Sequence, residues 1–483
     1  MGLFGILVAL ALLIYLAYRG WSILLLAPAA AIIAAALSGE PLLAHWTQTF
    51  MRSAAQFVMQ FFPIFLLGAL FGKLMEDSGS VSAIATFMTE RLGTGRAVLA
   101  VVLAGALVTY GGVSLFVAFF VLAPMAHALF RAAAIPKRLM PAAIALGTST
   151  FTMSMLPGTP AIQNAIPMPF FGTTPFAAPG LGIIASAITL GFGLWWLAFV
   201  EARARKNGEG YDGNAETAAS AAQDEKIRER ATTSGAFDPA EAAHGAQSAT
   251  TPPIVIAVLP LVVVVGVNLL MSLIVMPRLD TAYLATPEWG STSLSAVGGI
   301  WAVVTALAVA IAVLIALNLD RLPKLRETMD AGANAAALPV LNVASLVGFG
   351  AVVAALPAFG LVRDWVLGIG GGPLVSLAVA TNVLASLTGS ASGGLTIALD
   401  ALGSTYLKIA GEQGINPDLL HRVAVIGAGT LDSLPHNGAV VTLLAVCGST
   451  HKESYLDIVM VAIVGAVIAL IAVIGLGSTF GSF

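Results

Sequence analysis

Long uncharged stretches of apolar residues recur along the whole chain, and nothing else in the sequence limits its fold so tightly. They run from Gly2 to Tyr18, Ser22 to Leu37, Ala97 to Thr109, Leu181 to Val200, Ile254 to Met276, Trp301 to Leu317 and Ile458 to Leu476. Several approach the ~20 residues with which an α-helix crosses the hydrocarbon core of a bilayer. Within that core every backbone N–H and C=O must be paired inside the protein, so only helices or a closed barrel can span it. Barrel strands alternate apolar and polar residues, whereas these runs are apolar on every side. The reading is an all-α polytopic membrane protein. The polar material for a soluble surface is also lacking, since 58% of the 483 residues are hydrophobic and 10% charged, against roughly a quarter charged in soluble domains.

The formal net charge of −3 says nothing useful about partners, and no basic patch points to nucleic acid, so no nucleic-acid partner is expected. Cys447 is the single cysteine, so the chain forms no disulfide with itself. The first apolar run has no charged residues before it and a poor cleavage site after it (Tyr18-Arg19-Gly20-Trp21), so it is expected to be a retained helix.

One segment breaks the apolar pattern. Residues 201–251 are Ala-, Ser- and Gly-rich, without apolar periodicity, and hold 6 Lys/Arg and 9 Asp/Glu. Such a stretch cannot bury enough surface to fold alone. It is expected to be a flexible linker between membrane halves 1–200 and 252–483. Arg203, Arg205 and Lys206 directly follow an apolar run, which places the linker in the cytoplasm.

The halves carry a weak internal repeat. Gly79 aligns with Gly360, Gly111-Gly112-Val113-Ser114 with Gly393-Gly394-Leu395-Thr396, Ile135 with Ile415, Gly147 with Gly427 and Leu156-Pro157 with Leu434-Pro435, in one order and at a nearly constant offset. Each half also contains a polar, proline-containing interruption of an apolar stretch, at residues 147–158 and 427–438. Proline removes an amide donor and glycine weakens a helix, so both stretches should be discontinuous helices. Unwound backbone at membrane depth is tolerated where it lies against protein or a water-filled cavity. Paired interruptions of this kind point to a transport site.

The candidate substrate-binding groups follow from that reading. They are Gly111, Gly112 and Ser114; Thr148, Ser149, Thr150 and Thr152; Ser390, Ser392 and Gly393; and Thr430, Ser433 and Asn437. Hydroxyls and freed amides at helix breaks can bind a carboxylate, helped by the positive ends of half-helices. Ionisable residues inside membrane segments are costly and functional by default. Asp432 and His436, four apart in the second break, are the candidate proton carriers, followed by Asp400. His127 lies in the corresponding stretch of the first half, and Lys73, Glu76 and Asp77 are expected at an interfacial helix end.

No phosphate-binding Gly-x-x-x-x-Gly-Lys-Ser/Thr loop is present, which argues against an ATP-driven pump. No Cys/His cluster has metal-ligand spacing, so no cofactor is expected, and no nucleophile and base pair up as in an enzyme. An ion channel is the rival reading, but it has little need for two pseudo-equivalent breaks.

At these residues the chain resembles the gluconate permease (GntP) family of the ion transporter superfamily. The resemblance runs through Leu67-Gly68-Ala69-Leu70-Phe71-Gly72-Lys73-Leu74-Met75, Asp77-Ser78-Gly79, Ala134-Ile135-Pro136 and Leu156-Pro157-Gly158-Thr159-Pro160. In the second half it rests on Leu387-Thr388-Gly389-Ser390-Ala391, Gly427-Ala428-Gly429-Thr430 and Pro435-His436-Asn437. It implies a homodimeric proton symporter of the bacterial inner membrane for gluconate, related sugar acids or small hydroxy acids. It also implies two inverted repeats, each with a re-entrant hairpin and a broken helix. Sodium coupling is the alternative within the same class. The family's first-half histidine is missing here, and its Tyr-Glu-Val-Gly is replaced by Tyr110-Gly111-Gly112-Val113. The loss of polar groups implies a less hydroxylated substrate, such as 3-hydroxybutyrate.

Overall fold

The computed structural model describes residues 2–18, 21–211, 248–435 and 437–483, and among these the regular structure is all helical, with no strand. The first half contains α1 (Gly2–Tyr18), α2 (Ile23–Ser38), α3 (Leu42–Asp77), α4 (Ser80–Leu92), α5 (Ala97–Tyr110), α6 (Leu115–Ala132), α7 (Met140–Thr148) and α8 (Pro179–Lys206). The second contains α9 (Ile254–Arg278), α10 (Leu294–Leu317), α11 (Leu325–Ala355), α12 (Phe359–Leu367), α13 (Pro373–Thr388), α14 (Ala391–Gln413), α15 (Pro417–Thr430), α16 (Gly438–Val446) and α17 (His451–Phe480). Among the described residues six helices, α3, α8, α9, α10, α11 and α17, are long and apolar enough to cross a membrane. A seventh span is formed if α4 and the Thr94–Tyr110 helix, bent by 101° at Gly93, are taken together.

Where hydrophobicity is uniform, small residues decide which side of a helix meets its neighbours, because they let backbones approach. On α10 the buried stripe is Gly298, Gly299, Ala302, Val303, Ala306, Leu307 and Ala310, at three- and four-residue spacing. It packs on α9 and α3, while Val309 stays exposed. Helix α3 also packs against α11, and α11 against α2, giving one group of long outer helices. The second group is built on the broken elements: α5 on α7, α13 on α14 and α15, and α8 on α17. The two halves meet inside this group, where α16 packs on α6 and the start of α17 on α7.

The same succession appears twice. Helices α5 and α6 meet at a tight tip, Gly111–Ser114, as α13 and α14 do at Gly389–Ser390. The next helix in each half, α7 or α15, stops at an irregular break. The tip of the second hairpin is thus Gly389–Ser390, and Gly393-Gly394 fall one turn later, inside α14. There, a Cβ on Gly394 would lie 2.2 Å from the Ala385 amide nitrogen of α13, so glycine is what lets the hairpin arms touch.

The polar segment starts differently from the expectation of a linker at residue 201. Helix α8 runs on to Lys206, with Arg205 bonded to Glu201 one turn back, because Ala, Arg and Glu sustain a helix outside an apolar environment. Residues 207–211 then fold onto the α6–α7 connection. Arg138 holds Glu209 through two hydrogen bonds of 2.7 and 3.1 Å and reaches Asp457 at 3.0 Å. The far end of the segment docks on the α3–α4 corner, where the Ser248 amide donates to the Asp77 carbonyl at 2.8 Å. Residues 212–247 lie outside the described residues.

Candidate functional site

In the second half, the hairpin tip and the helix break are stitched together by two side chains. Asp432 Oδ1 accepts from the Ala391 amide at 2.9 Å and from Asn437 Nδ2 at 2.8 Å. Asn437 Nδ2 also donates to the Gly389 carbonyl at 2.9 Å, and its Oδ1 caps α16 by accepting from the Ala439 amide at 2.7 Å. Rotating the amide by half a turn would break all three contacts, so its orientation is fixed. The sequence chooses these residues for a local reason. Helix α15 ends at Thr430, and Asn is a strong N-cap for the helix that restarts at Gly438. The Asp432 carboxylate meets the N-terminal end of α14, where the amide dipoles favour an anion. Its second oxygen, Oδ2, makes no hydrogen bond among the described residues.

Between the two breaks lies a cavity of about 20 Å³. Ser149 and Met153 line it from the first half, and Asp432, Ser433 and Asn437 from the second. Leu115 and Phe119 of the first hairpin close one wall, and Val440 and Leu443 another. The space holds roughly one water, so an organic acid enters only if the breaks part. Of the candidate residues, the structure therefore gathers Ser149, Asp432, Ser433 and Asn437 around one space.

The other candidates among the described residues do not line this space. Thr148, Thr150 and Thr152 are buried, and their hydroxyls donate to the Ile144, Leu146 and Thr148 carbonyls, four residues back in each case. Thr109 joins the Thr152 hydroxyl at 3.2 Å and ties α5 to the break. Thr430 likewise bonds the Ile426 carbonyl. Such back-bonding satisfies the hydroxyl within its own helix. Ser390 caps α14 by accepting from the Gly393 amide at 3.1 Å and contacts Ser392 at 3.2 Å. Gly112 sits at φ +99 at the first tip, and a Cβ on Gly111 would fall 2.1 Å from the Leu261 side chain of α9. Ser114 leads into α6 without a side-chain cap.

Among the ionisable candidates, Asp400 is exposed on α14 and has no hydrogen bond among the described residues. His436 lies outside the described residues. His127 bonds the hydroxyl of Tyr211 at the start of the polar segment, beneath Arg131, and takes no part in the cavity. Lys73 and Asp77 are buried rather than simply interfacial. The Lys73 ammonium lies 3.1 Å from Asp77 and 3.2 Å from Glu76, and Thr328 of α11 donates to Asp77 at 2.6 Å.

Sequence reasoning missed His421 and Arg422 on α15, both fully buried. Arg422 donates to the Ala177 carbonyl from Nε at 3.0 Å and Nη2 at 2.6 Å, and from Nη1 to the Met155 carbonyl at 3.1 Å and Asn164 Oδ1 at 3.4 Å. His421 bonds Thr173 at 2.6 Å and Asn164 at 3.2 Å. The signal was available: an arginine inside the apolar run Leu419-Leu420-His421-Arg422-Val423-Ala424-Val425 is as costly in a membrane as an aspartate.

The model of the GntP family permeases matches residues 1–173. The transporter YxjC of Bacillus subtilis (strain 168) is 40% identical over 492 residues, covering 99% of this chain and 99% of the relative. The chain belongs to the GntP permease family. This permease is accordingly a multi-pass membrane transporter. The crystal structure of the Alcanivorax borkumensis YdaH transporter, described as having an unusual topology, aligns with the permease at 16% identity and a TM-score of 0.49, over 91% of this chain and 89% of that one.

Proposed function

We propose that the permease is a secondary symporter that carries a small organic anion together with protons across the bacterial inner membrane. The observation that carries this reading is the Asp432 carboxylate, with one oxygen pinned by Ala391 and Asn437 and the other without a partner among the described residues, beside a cavity shared by both helix breaks. A carboxylate in that position can hold a proton as the substrate carboxylate arrives, which offsets the cost of desolvating an anion. Against an inside-negative potential an unaccompanied anion is opposed by roughly 2.3 kcal/mol per charge per 100 mV, so coupling is required for accumulation.

In this reading Ser149, Ser433 and Asn437 contact the substrate, and the residues around Gly111–Ser114, Thr148–Thr152, Ser390–Gly393 and Thr430 shape the tips and breaks that hold it. Asp432 and His436 carry the proton, with Asp400 as the next candidate. The substrate is a gluconate-like sugar acid or a short hydroxy acid such as 3-hydroxybutyrate. Halves 1–200 and 252–483 act as inverted repeats around the site, the polar segment 201–251 is cytoplasmic, and the protein works as a homodimer whose outer helices form the fixed part.

The experiment is uptake of radiolabelled gluconate and 3-hydroxybutyrate into proteoliposomes under imposed gradients. The expected result is accumulation driven by an inward proton gradient and saturable counterflow. Accumulation driven by sodium alone would replace the proton with sodium. Failure of counterflow for every acid tested would remove the carrier reading.

A further inference from the structure

Arg422 is a buried cation whose four hydrogen bonds all end on carbonyl oxygens. Carbonyl dipoles solvate a guanidinium but do not neutralise it, and an unneutralised charge inside a membrane protein is expensive. Asp418, one turn earlier on α15, is half-buried and close enough for its charge to be felt at Arg422, but among the described residues the two form no salt bridge, so the guanidinium is offset only in part. Helix α8 seals the other side, since a Cβ on Gly182 would stand 2.5 Å from the Met155 carbonyl and 3.4 Å from Arg422 Nε.

This charge sits beside the first break. Met153 lines the cavity and the Met155 carbonyl, two residues on, takes the Arg422 bond, so the Cα atoms of these two residues are at most about 7 Å apart. Asn164 fixes the arrangement. Its Oδ1 accepts from both Arg422 and His421, while Nδ2 donates to the Thr159 and Pro175 carbonyls at 3.0 Å each.

We propose that Arg422, oriented by Asn164, is a positioning residue for the anion site: it supplies the positive potential that a substrate carboxylate offsets on entering between the two breaks. The inference rests on the organic-anion reading above and adds to it the source of the attraction. Arg422 acts through the field of its charge and through the carbonyl it holds, without touching the substrate.

Charge and shape can be separated. Asn164→Asp keeps the guanidinium fork in place but sets a carboxylate against it, cancelling its charge from within. Asn164→Ala removes the same two amide donors without adding a charge. Arg422→Lys keeps the charge and loses the fork, and Arg422→Gln loses both. The full-length variants, checked for monodispersity in detergent, are assayed for uptake of radiolabelled 3-hydroxybutyrate and gluconate in liposomes. The expected KM of Asn164→Asp is about tenfold above that of Asn164→Ala, which is the size of effect that one unit charge has at roughly 10 Å in a medium of effective dielectric about 20. Arg422→Lys should have a KM about tenfold below that of Arg422→Gln, by the same estimate. If Arg422→Gln does not assemble, the Asn164 pair alone decides. Equal KM values for Asn164→Asp and Asn164→Ala, in a wild type that transports, overturn the electrostatic role and leave the carrier reading intact. A wild type that takes up neither acid overturns the organic-anion reading and this inference with it.

Discussion

Asn437 Nδ2 lies 2.8 Å from Asp432 Oδ1 and, through its other hydrogen, 2.9 Å from the carbonyl of Gly389, so one amide ties the second break to the tip of the second hairpin. Asn437→Ala removes both donors and the α16 cap at once. An unpaired buried acceptor costs about 1–3 kcal/mol and a lost N-cap about 1 kcal/mol. The melting temperature in detergent should fall, and the uptake rate should fall at least about tenfold, more than a stability loss of that size explains. Asn437→Asp should be worse than Asn437→Ala, because it faces a second carboxylate at hydrogen-bond distance. A variant with wild-type melting and wild-type uptake would show that the tie is not used.

The close approaches between broken elements give a stability test independent of substrate. A Cβ at residue 147 would meet the Val102 carbonyl oxygen at 2.4 Å, and one at residue 394 would meet the Ala385 amide at 2.2 Å. Both obstacles are backbone and cannot rotate away. Gly147→Ala and Gly394→Ala should each cost more than about 2 kcal/mol and deplete the monodisperse peak in size-exclusion chromatography. Gly191 of α8 has nothing within 4 Å of its Cβ position. Gly191→Ala should be neutral or stabilising by up to about 1 kcal/mol.

How much of this was legible in the sequence varies with the range of the interaction. The long apolar helices and the breaks announced themselves because bilayer thickness, glycine and proline act locally. The hairpins came only with the family resemblance, and the second tip lies at Gly389–Ser390, before Gly393-Gly394. The hydroxyl-rich break of Thr148, Ser149, Thr150 and Thr152 was visible too, but composition does not say which hydroxyl faces the cavity. Helical geometry turns three of the four back onto their own carbonyls and leaves Ser149 on the lining. The Arg422 cluster was missed because its partners, Met155, Asn164 and Ala177, belong to the other half and offer backbone carbonyls or an amide rather than acids. Asp400 drew attention by the same rule that should have flagged Arg422, yet it lies on the outer face of α14.

The start of the polar segment is held by a pH-sensitive contact. The Arg138 guanidinium, hydrogen-bonded to Glu209 through both oxygens, holds that carboxyl below its ordinary value of 4.5. A carboxylate depressed on folding contributes stability that is fully present above its unfolded pKa and is lost as the pH falls through the folded one. The pair is partly exposed, so its worth is at most about 1 kcal/mol. Amide hydrogen exchange at residues 207–211 should stay slow near neutrality, rise relative to α8 once the pH drops below the carboxylate range, and be raised at every pH in Arg138→Gln. The same protection in wild type and variant near neutrality would remove the contact from the account.

The coupling role of Asp432 can be separated from its structural one. Asn at this position retains an Oδ1 that can accept from the Ala391 amide and from Asn437, so the tip and the break stay joined. What it loses is the charge and the site for a proton. Asp432→Asn should therefore abolish uptake driven by a proton gradient, while exchange of labelled for unlabelled acid across the membrane persists at a substantial fraction of the wild-type rate. Asp432→Ala removes the acceptor as well and should lose both activities, together with melting temperature. His436→Gln should shift the pH dependence of uptake if that imidazole shares the proton. Gradient-driven accumulation by Asp432→Asn with an unchanged pH profile would move the proton elsewhere, and Asp400, unpartnered among the described residues, would then be the carboxylate to test.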